Sequence, residues 1–293
     1  MSRPPALGRL FLQEDLNFLI TNRIPRRLVT QFVGWFSRIR HPIVSRLSIA
    51  VWRAFSRVDL DEAKDCADFR SLHDCFVREL KDGARPIDGR QDVLVSPCDA
   101  IVGASGRIDG VQVIQAKGFP YTLGDLLHDP ELVEMYRDGR YVTLRLTAGM
   151  YHRFHAPHDC RVEQVTYVSG DTWNTNPIAI KRVAKLFCKN ERAVLRVRLA
   201  DTRRLITLVP VASVLVASIR LHFLDVLLHL KYRGPQVIAC DAPFKKGQEM
   251  GWFELGSTII VFVGAGFELC AGIGDGTVIR MGEPLLQSEH HRS

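Results

Sequence analysis

The sequence contains no uninterrupted apolar run approaching the ~20 residues that a helix needs to span a bilayer. We therefore expect no transmembrane helix. The first residues include Glu14 and Asp15 and lack a basic segment, an apolar core and a small-residue cleavage site, so no secretory signal is expected. The seven cysteines are odd in number and lack framework spacing, which favours free thiols in a reducing compartment. A cytosolic or cytosol-facing protein is the simplest interpretation.

Acidic residues are also absent between Asp15 and Asp59, although this segment is rich in arginine. Its arginines are Arg23, Arg26, Arg27, Arg38, Arg40, Arg46, Arg53 and Arg57. Apolar residues recur among them at roughly helical spacing, namely Phe32, Trp35, Phe36, Ile39, Leu47, Val51, Trp52 and Phe55. This pattern is typical of helices in a membrane interface, and attraction to anionic lipid adds about 1 kcal/mol per basic residue. The alternative is a set of helices packed on a core with a solvated basic face. No nucleic-acid-binding module is recognisable, so we expect no nucleic-acid partner.

The N-terminal part of the chain is predicted to be helical. Residues 11–57 favour two or three helices that are broken at Pro25 and Pro42, since proline is tolerated where a helix begins. A further helix is expected from an N-cap at Asp68 through Leu80, with Gly83 ending it.

From Val93 onward, short β-branched or alternating runs separated by glycine predict strands. The predicted strands are Ala100–Val102, Val111–Ala116, Tyr141–Leu146, Arg161–Val168, Ala193–Leu199, Leu205–Val216 and Thr258–Val263. Helical interruptions are expected at Thr122–Arg137 and Ile178–Lys189. The predicted fold class is α+β, a mainly antiparallel β domain with a few helices (residues 61–293), preceded by a basic, helical, membrane-associating segment (residues 1–60).

A small-residue kink, Leu255-Gly256-Ser257-Thr258, separates two strand-like runs. Ser257 is therefore expected at a strand entrance, with its hydroxyl next to the carbonyl of Gly256. Because glycine has no Cβ, a nucleophile can approach that carbonyl closely. This arrangement would allow the chain to attack its own backbone.

The segment around Ser257 closely resembles the self-processing site of phosphatidylserine decarboxylases, pyruvoyl-dependent enzymes that make phosphatidylethanolamine. The resemblance covers roughly the last three quarters of the chain, with the motifs in family order. They are Phe76-Val-Arg-Glu-Leu-Lys-Asp-Gly-Ala-Arg-Pro-Ile-Asp88, Ser96-Pro-Cys-Asp99, Lys117-Gly118, Tyr151-His-Arg-Phe-His155, Leu186-Phe-Cys-Lys-Asn-Glu-Arg192 and Gly256-Ser257-Thr258.

This resemblance implies roles for four residues. Self-cleavage requires a hydroxyl nucleophile, a base and an orienting carboxylate, and the family positions match Ser257, His155 and Asp99. His152 matches the histidine linked to proton transfer during decarboxylation. From its turn position alone, Asp99 would be interpreted as a turn-capping side chain. The family usually has Asp-Gly where this chain has Asp99-Ala100.

The implied reaction cuts the chain between Gly256 and Ser257 into a β chain (1–256) and an α chain (257–293). The Ser257 alkoxide attacks the Gly256 carbonyl, the amide becomes an ester, and elimination followed by hydrolysis converts Ser257 into a covalent pyruvoyl group with release of ammonia. This pyruvoyl group is the cofactor, and its carbonyl draws off electrons as carbon dioxide leaves the substrate.

The implied partners are phosphatidylserine as substrate, an anionic membrane surface, and a heterodimer of the two cleavage fragments, with further dimerisation left open. The implied location is peripheral, on the cytoplasmic face of a bacterial cell membrane.

Four alternatives remain open. A serine hydrolase could use an Asp99/His155/Ser257 triad, although Leu255 stands where a Gly-x-Ser-x-Gly elbow needs glycine. The chain could be a non-enzymatic lipid-surface module, or a decarboxylase for another amine-bearing acid. The three-residue spacing of His152, His155 and His158 could also suggest a metal site, but Pro157 interrupts a continuous helix, so we expect no metal and a surface position for His158.

Overall fold

The computed structural model describes most of the chain. The described residues are 15, 18, 25–56, 58, 60–64, 68–116, 119–213, 218–225, 227–229, 232–234, 236–254 and 257–289. Lys117, Gly118, Leu255 and Gly256, which belong to predicted motifs, lie outside them.

Two basic helices precede the β region. Helix α1 spans Arg26–Ser37 and helix α2 spans Pro42–Ser56. Pro25 is the N-cap of α1 and Pro42 is the first residue of α2, where a missing backbone N–H costs little because that donor has no partner in the helix. The predicted helix boundaries at the two prolines are confirmed. None of the described helices combines the length and apolar character needed to cross a bilayer.

Beyond residue 92 the described chain is mainly strand. The strands are β1 Val93–Val95, β2 Ala100–Arg107, β3 Gln112–Ala116, β4 Phe119–Thr122, β5 Arg140–Arg145, β6 Arg153–His155, β7 Cys160–Val168, β8 Arg192–Leu199, β9 Leu205–Ala212, β10 Ser218–Leu221, β11 Leu227–His229, β12 Val237–Phe244, β13 Glu249–Phe253, β14 Ser257–Val263, β15 Phe267–Leu269, β16 Val278–Ile279 and β17 Pro284–Ser288. Short helices interrupt them, namely α3 Leu72–Phe76, α4 Leu123–Leu127, α5 Pro130–Met135, α6 Pro177–Ile180 and α7 Leu186–Lys189.

The largest sheet is antiparallel, with the described strand order β12-β7-β8-β9-β14-β5-β2-β16. Every residue of the two central strands, β9 and β14, is buried. Their nearly continuous apolar and β-branched sequences suit strands that are covered on both faces. One face packs into the main core with Phe154 and Phe253, and the other packs against α4 and α7 through Leu126 and Phe187.

Three smaller antiparallel sheets complete the described β structure. Their strand orders are β11-β10-β13-β6, β1-β17-β15 and β3-β4. The four-stranded sheet is important for the site because β6 ends the Tyr151–His155 motif and β13 leads towards Gly256. Since Phe154 of β6 and Phe253 of β13 share the core of the large sheet, both segments are held close to β14.

The α+β class and the mainly antiparallel sheets agree with the sequence prediction, and each predicted strand corresponds to an observed one over its described residues. The N-cap predicted at Asp68 is wrong. Ser71 caps α3 instead, because its Oγ accepts a hydrogen bond from the Asp74 N–H at 3.1 Å. The helix then ends at Phe76 rather than Leu80. The boundary between residues 60 and 61 stays a prediction.

Candidate active site

Ser257, the predicted nucleophile, is the first residue of β14 and is completely buried. Its carbonyl accepts a hydrogen bond from the Leu146 N–H at 2.9 Å. Its Oγ has no hydrogen-bond partner within the described part of the chain. Leaving a buried polar group unsatisfied costs about 1–3 kcal/mol, so such a hydroxyl calls for a functional explanation. Gly256, the other half of the predicted cleavage site, lies outside the described residues.

The sheet register brings Asp99 and Ser257 to the same end of the strands in the large sheet. Arg145 of β5 pairs with Thr258 of β14 on one side and with Ile101 of β2 on the other. Ser257 precedes Thr258 directly, and Asp99 lies two residues before Ile101. With strands ~4.8 Å apart, two strands on either side of a third are about 10 Å apart, so these residues border one site.

The Asp99 carboxylate is almost completely enclosed, with 8% of the residue exposed. Arg85 donates from Nε to Oδ1 at 2.9 Å and from Nη2 to Oδ2 at 2.6 Å. The Met281 N–H also donates to Oδ1, at 2.9 Å. Arg85 in turn pairs with Glu62 at 2.7 Å. Asp99 is thus held by a buried ion pair and a backbone donor.

His155, the predicted base, ends β6 and is 7% exposed. Its backbone N–H donates to the Pro97 carbonyl at 2.8 Å, which joins the segments of His155 and Asp99. Its Nδ1 lies 2.9 Å from the Gly247 carbonyl oxygen, and its Nε2 lies 3.0 Å from the Tyr151 hydroxyl. Because a carbonyl only accepts, Nδ1 carries the proton and Nε2 is the basic nitrogen. Burial lowers the pKa of His155, so the imidazole is neutral at pH 7 and can accept a proton.

His152 is completely buried, and its imidazole has no well-aligned hydrogen bond in the described structure, only a contact with the Met150 backbone. Its carbonyl accepts a hydrogen bond from the Phe253 N–H at 3.0 Å, and its ring meets Phe76 edge-on with centroids 6.1 Å apart. Burial, followed by the positive charge of Arg78, lowers the pKa of His152 to about 4. The imidazole is therefore neutral at pH 7.

The structure thus brings the segments of all four predicted residues together, but their side chains do not form a bonded triad. Among the described residues, His155 bonds to Tyr151 and Gly247 rather than to Asp99 or Ser257. The catalytic roles stay predictions. The surface position expected for His158 is wrong, because it is 2% exposed and its Nε2 donates to the Gln91 carbonyl at 2.7 Å. No group of His, Cys, Asp and Glu suited to a metal occurs in the described chain.

Sequence reasoning missed three groups that shape this site. Arg85 holds Asp99, the Tyr151 hydroxyl bonds to His155, and the Gly247 carbonyl selects the tautomer of His155. Arg85 and Tyr151 both lie inside motifs that carry the family resemblance, so these motifs contained a usable signal. A backbone carbonyl has no signature in a sequence.

An exposed apolar surface lies on the two N-terminal helices. The seven large apolar side chains that form it, between 49% and 72% exposed, are Leu28, Phe32, Trp35, Ile43, Leu47, Val51 and Phe55. They follow helical spacing on α1 and α2, and we call them the apolar stripes. Just after α1, Arg38 pairs with Glu254 at 2.6 Å, two residues before Gly256. The stripes are therefore linked to the segment that leads to the predicted cleavage site.

Comparisons with known proteins agree on one family. The family model described as phosphatidylserine decarboxylase matches residues 72–287. A protein of Vibrio cholerae named phosphatidylserine decarboxylase proenzyme is 37% identical over 277 residues, covering 89% of this chain and 94% of its own length. A protein of Dickeya dadantii with the same name is 32% identical over 286 residues, covering 94% and 93%.

Proposed function

The chain belongs to the phosphatidylserine decarboxylase family, and we propose that it makes its own catalytic group by cutting the peptide bond between Gly256 and Ser257. As a decarboxylase of this family it removes carbon dioxide from the serine head group of phosphatidylserine and leaves phosphatidylethanolamine. The observation that carries the self-cleavage proposal is the Ser257 hydroxyl, which is buried and has no described partner. The name proenzyme, which the relatives bear, supports a maturation step of this kind.

In the cleavage step His155 accepts the proton of Ser257 at Nε2, the nitrogen left basic by the bond between Nδ1 and Gly247. The Tyr151 hydroxyl is hydrogen-bonded to Nε2 in this structure, so this hydrogen bond must break first. The Ser257 oxygen then bonds to the Gly256 carbonyl carbon while the carbon–nitrogen bond breaks, which gives an ester and a free amine. Loss of the Cα proton and of the Gly256 carboxylate leaves dehydroalanine, and water then replaces its nitrogen, releasing ammonia.

The surroundings of Ser257 fit a pyruvoyl group at this position. No described hydrogen bond to Oγ has to be broken, and the Leu146 N–H holds the carbonyl that the group would keep. When present, the group supplies a carbonyl that withdraws electrons as carbon dioxide departs. His152 then relays the proton that replaces carbon dioxide on the substrate carbon: its protonated ring nitrogen donates while the other nitrogen takes a proton from water, so the buried imidazole stays neutral.

The two fragments are expected to stay together after cleavage as a heterodimer. Strand β14 belongs to the short fragment, and it is hydrogen-bonded to β9 and β5 of the long fragment along its length. All seven of its residues are buried. Separation would expose this strand and break both ladders, so the short fragment is held without a covalent link.

We further propose that the apolar stripes bind the cytoplasmic face of an anionic bacterial membrane. They expose aromatic and aliphatic side chains beside the solvent-facing Arg40, Arg46 and Arg53. Apolar insertion and attraction to anionic lipid reinforce each other at such a surface. The link from Arg38 to Glu254 supports a path for lipid from this surface to the site.

Intact-mass analysis of the purified protein tests self-cleavage. We expect one fragment ending at Gly256 and a second beginning at position 257 whose mass is lower by one ammonia than the encoded residues 257–293 with a free amine. An active enzyme that remains one full-length chain would refute the proposal. The serine-hydrolase alternative predicts that single chain, and the complete burial of Ser257 argues against attack on an external substrate.

A further inference from the structure

Arg78 is a buried cation without a carboxylate partner among the described residues. It is 5% exposed, and its Nη1 and Nη2 donate to the carbonyls of Cys75 and Gly149 at 3.3 and 3.1 Å. Its Nε is buried and has no described partner. Asp99 is near enough to interact with it electrostatically, but both Asp99 oxygens are bonded to Arg85. Buried charges are normally paired, so this arrangement lacks an anion.

The surroundings of Arg78 place that missing anion beside the candidate active site. Phe76 contacts Trp52 of helix α2 on one side, with ring centroids 4.4 Å apart, and His152 on the other, at 6.1 Å. Arg153 donates to the Val77 carbonyl at 2.7 Å. Residues 76–78 therefore lie between a membrane-facing helix and a proposed catalytic histidine.

The bond from Arg78 to Gly149 also ties it to the loop that joins the two catalytic segments. Residues 147–150 follow Leu146, whose N–H is bonded to Ser257, and precede His152. Arg78 Nε thus has no described partner, and the buried His152, whose imidazole has no well-aligned hydrogen bond, adjoins the same loop. Such a concentration of unsatisfied polar atoms is expected where a polar ligand binds.

Phosphatidylserine offers two anionic groups, a carboxylate and a phosphodiester. A cation bound to the carboxylate would stabilise the ground state and oppose loss of that group as neutral carbon dioxide. The phosphodiester keeps its charge throughout the reaction and lies between the acyl chains and the serine. We propose that Arg78 binds the phosphodiester of phosphatidylserine, an inference that rests on the decarboxylase function proposed above.

Arg78→Met, with Arg78→Lys beside it, tests this role. We expect KM for short-chain phosphatidylserine to rise about 10–100-fold in Arg78→Met, and less in Arg78→Lys because the charge is kept. Phosphatidylethanolamine has the phosphodiester but no carboxylate, so its inhibition constant should rise by a similar factor. An increase in KM with an unchanged inhibition constant would assign Arg78 to the carboxylate and overturn the proposal, as would no change in either constant.

Two further measurements separate this role from folding and from self-cleavage. Arg196→Met is the matched control. Like Arg78, Arg196 is largely buried, with 16% of its side chain exposed, but unlike Arg78 it has carboxylate partners in the protein, Asp129 and Glu131. It should leave both constants unchanged. Titration of short-chain phosphatidylethanolamine into uncut Ser257→Ala, with and without Arg78→Met, requires neither cleavage nor turnover. Binding should weaken about 10–100-fold when Arg78 is replaced. Equal binding by two folded proteins would overturn the proposal even if Arg78→Met were never cleaved.

Discussion

Removing the Ser257 hydroxyl should abolish self-cleavage and also stabilise the uncut chain. The second effect follows from burial, because Oγ is fully enclosed and has no described hydrogen-bond partner. An unsatisfied buried hydroxyl costs about 1–3 kcal/mol, and alanine removes that cost while leaving the strand backbone unchanged. We therefore expect Ser257→Ala to raise the free energy of unfolding by about 1–3 kcal/mol relative to an uncut chain that keeps the serine.

The comparison requires that both proteins be uncut. His155→Ala, which removes the proposed base, provides this background, and Ser257→Ala is then added to it. Urea unfolding followed by tryptophan fluorescence gives the two free energies. Ser96→Ala is the matched control, because Ser96 is equally buried but its Oγ donates to the Cys98 carbonyl at 2.7 Å.

The two serine substitutions should therefore have opposite signs. Ser96→Ala removes a satisfied hydrogen bond and should lower the free energy of unfolding by about 1 kcal/mol. If Ser257→Ala also lowers it, the Ser257 hydroxyl is satisfied in solution and the reasoning from burial is wrong. Cleavage of a Ser257→Ala chain at position 256 would refute the assignment of the nucleophile.

Three other predictions concern charge and membrane contact. Burial lowers the pKa of His152 to about 4 in the folded chain, against 6.5 for the ordinary side chain, so between these pH values only the unfolded chain binds the proton and the free energy of unfolding should fall as pH drops from 6.5 to 4. In urea titrations at several pH values, His152→Gln should reduce that fall. An identical pH dependence in the two proteins would contradict burial of a neutral imidazole. Arg85→Met leaves the buried Asp99 carboxylate without its ion-pair partner and should lower the free energy of unfolding by about 3–5 kcal/mol. The control Arg90→Met should lower it by less than about 1 kcal/mol, because the Arg90 side chain is 53% exposed. Equal losses would show that burial does not strengthen the dependence of Asp99 on Arg85. Phe55→Ser should weaken binding to phosphatidylserine vesicles, measured by co-sedimentation, about tenfold or more. The free energy of unfolding should not fall, because Phe55 is 72% exposed. Undiminished sedimentation would mean that the apolar stripes do not bind lipid.

The parts of the fold that were predictable are those where one physical requirement dominates. Strands β9 and β14 are covered on both faces, so their sequences are continuous apolar and β-branched runs that stand out in the chain. Pro25 and Pro42 mark helix starts because proline restricts the backbone in a specific way. Where several residues compete, the sequence is ambiguous. Asp68 and Ser71 can both cap a helix, and α3 ends at Phe76 rather than at the predicted Leu80.

In the candidate site, too, some features were predictable from the sequence and others were not. Ser257, His155 and Asp99 belong to recognisable motifs, and the sheet register accounts for why Asp99 and Ser257 lie at one edge. Their hydrogen-bond partners could not be predicted, because Gly247 acts through a backbone carbonyl and Arg85 reaches Asp99 across fourteen residues. Such contacts depend on the tertiary fold rather than on the local pattern.

Burial of Ser257 also explains why the proposed cleavage should precede contact between position 257 and the amine of a bound head group. Ser257 is fully enclosed, which would protect the proposed self-cleavage from water but keeps position 257 out of reach of the substrate amine. A cut before Ser257 would remove the covalent link between β13 and β14, and the new end at Gly256 could then move away from position 257. Glu254 lies two residues from that end and is paired with Arg38 beside α1, so the freed end would remain close to the apolar stripes. The same cut would thus create the catalytic group and expose it to the substrate amine.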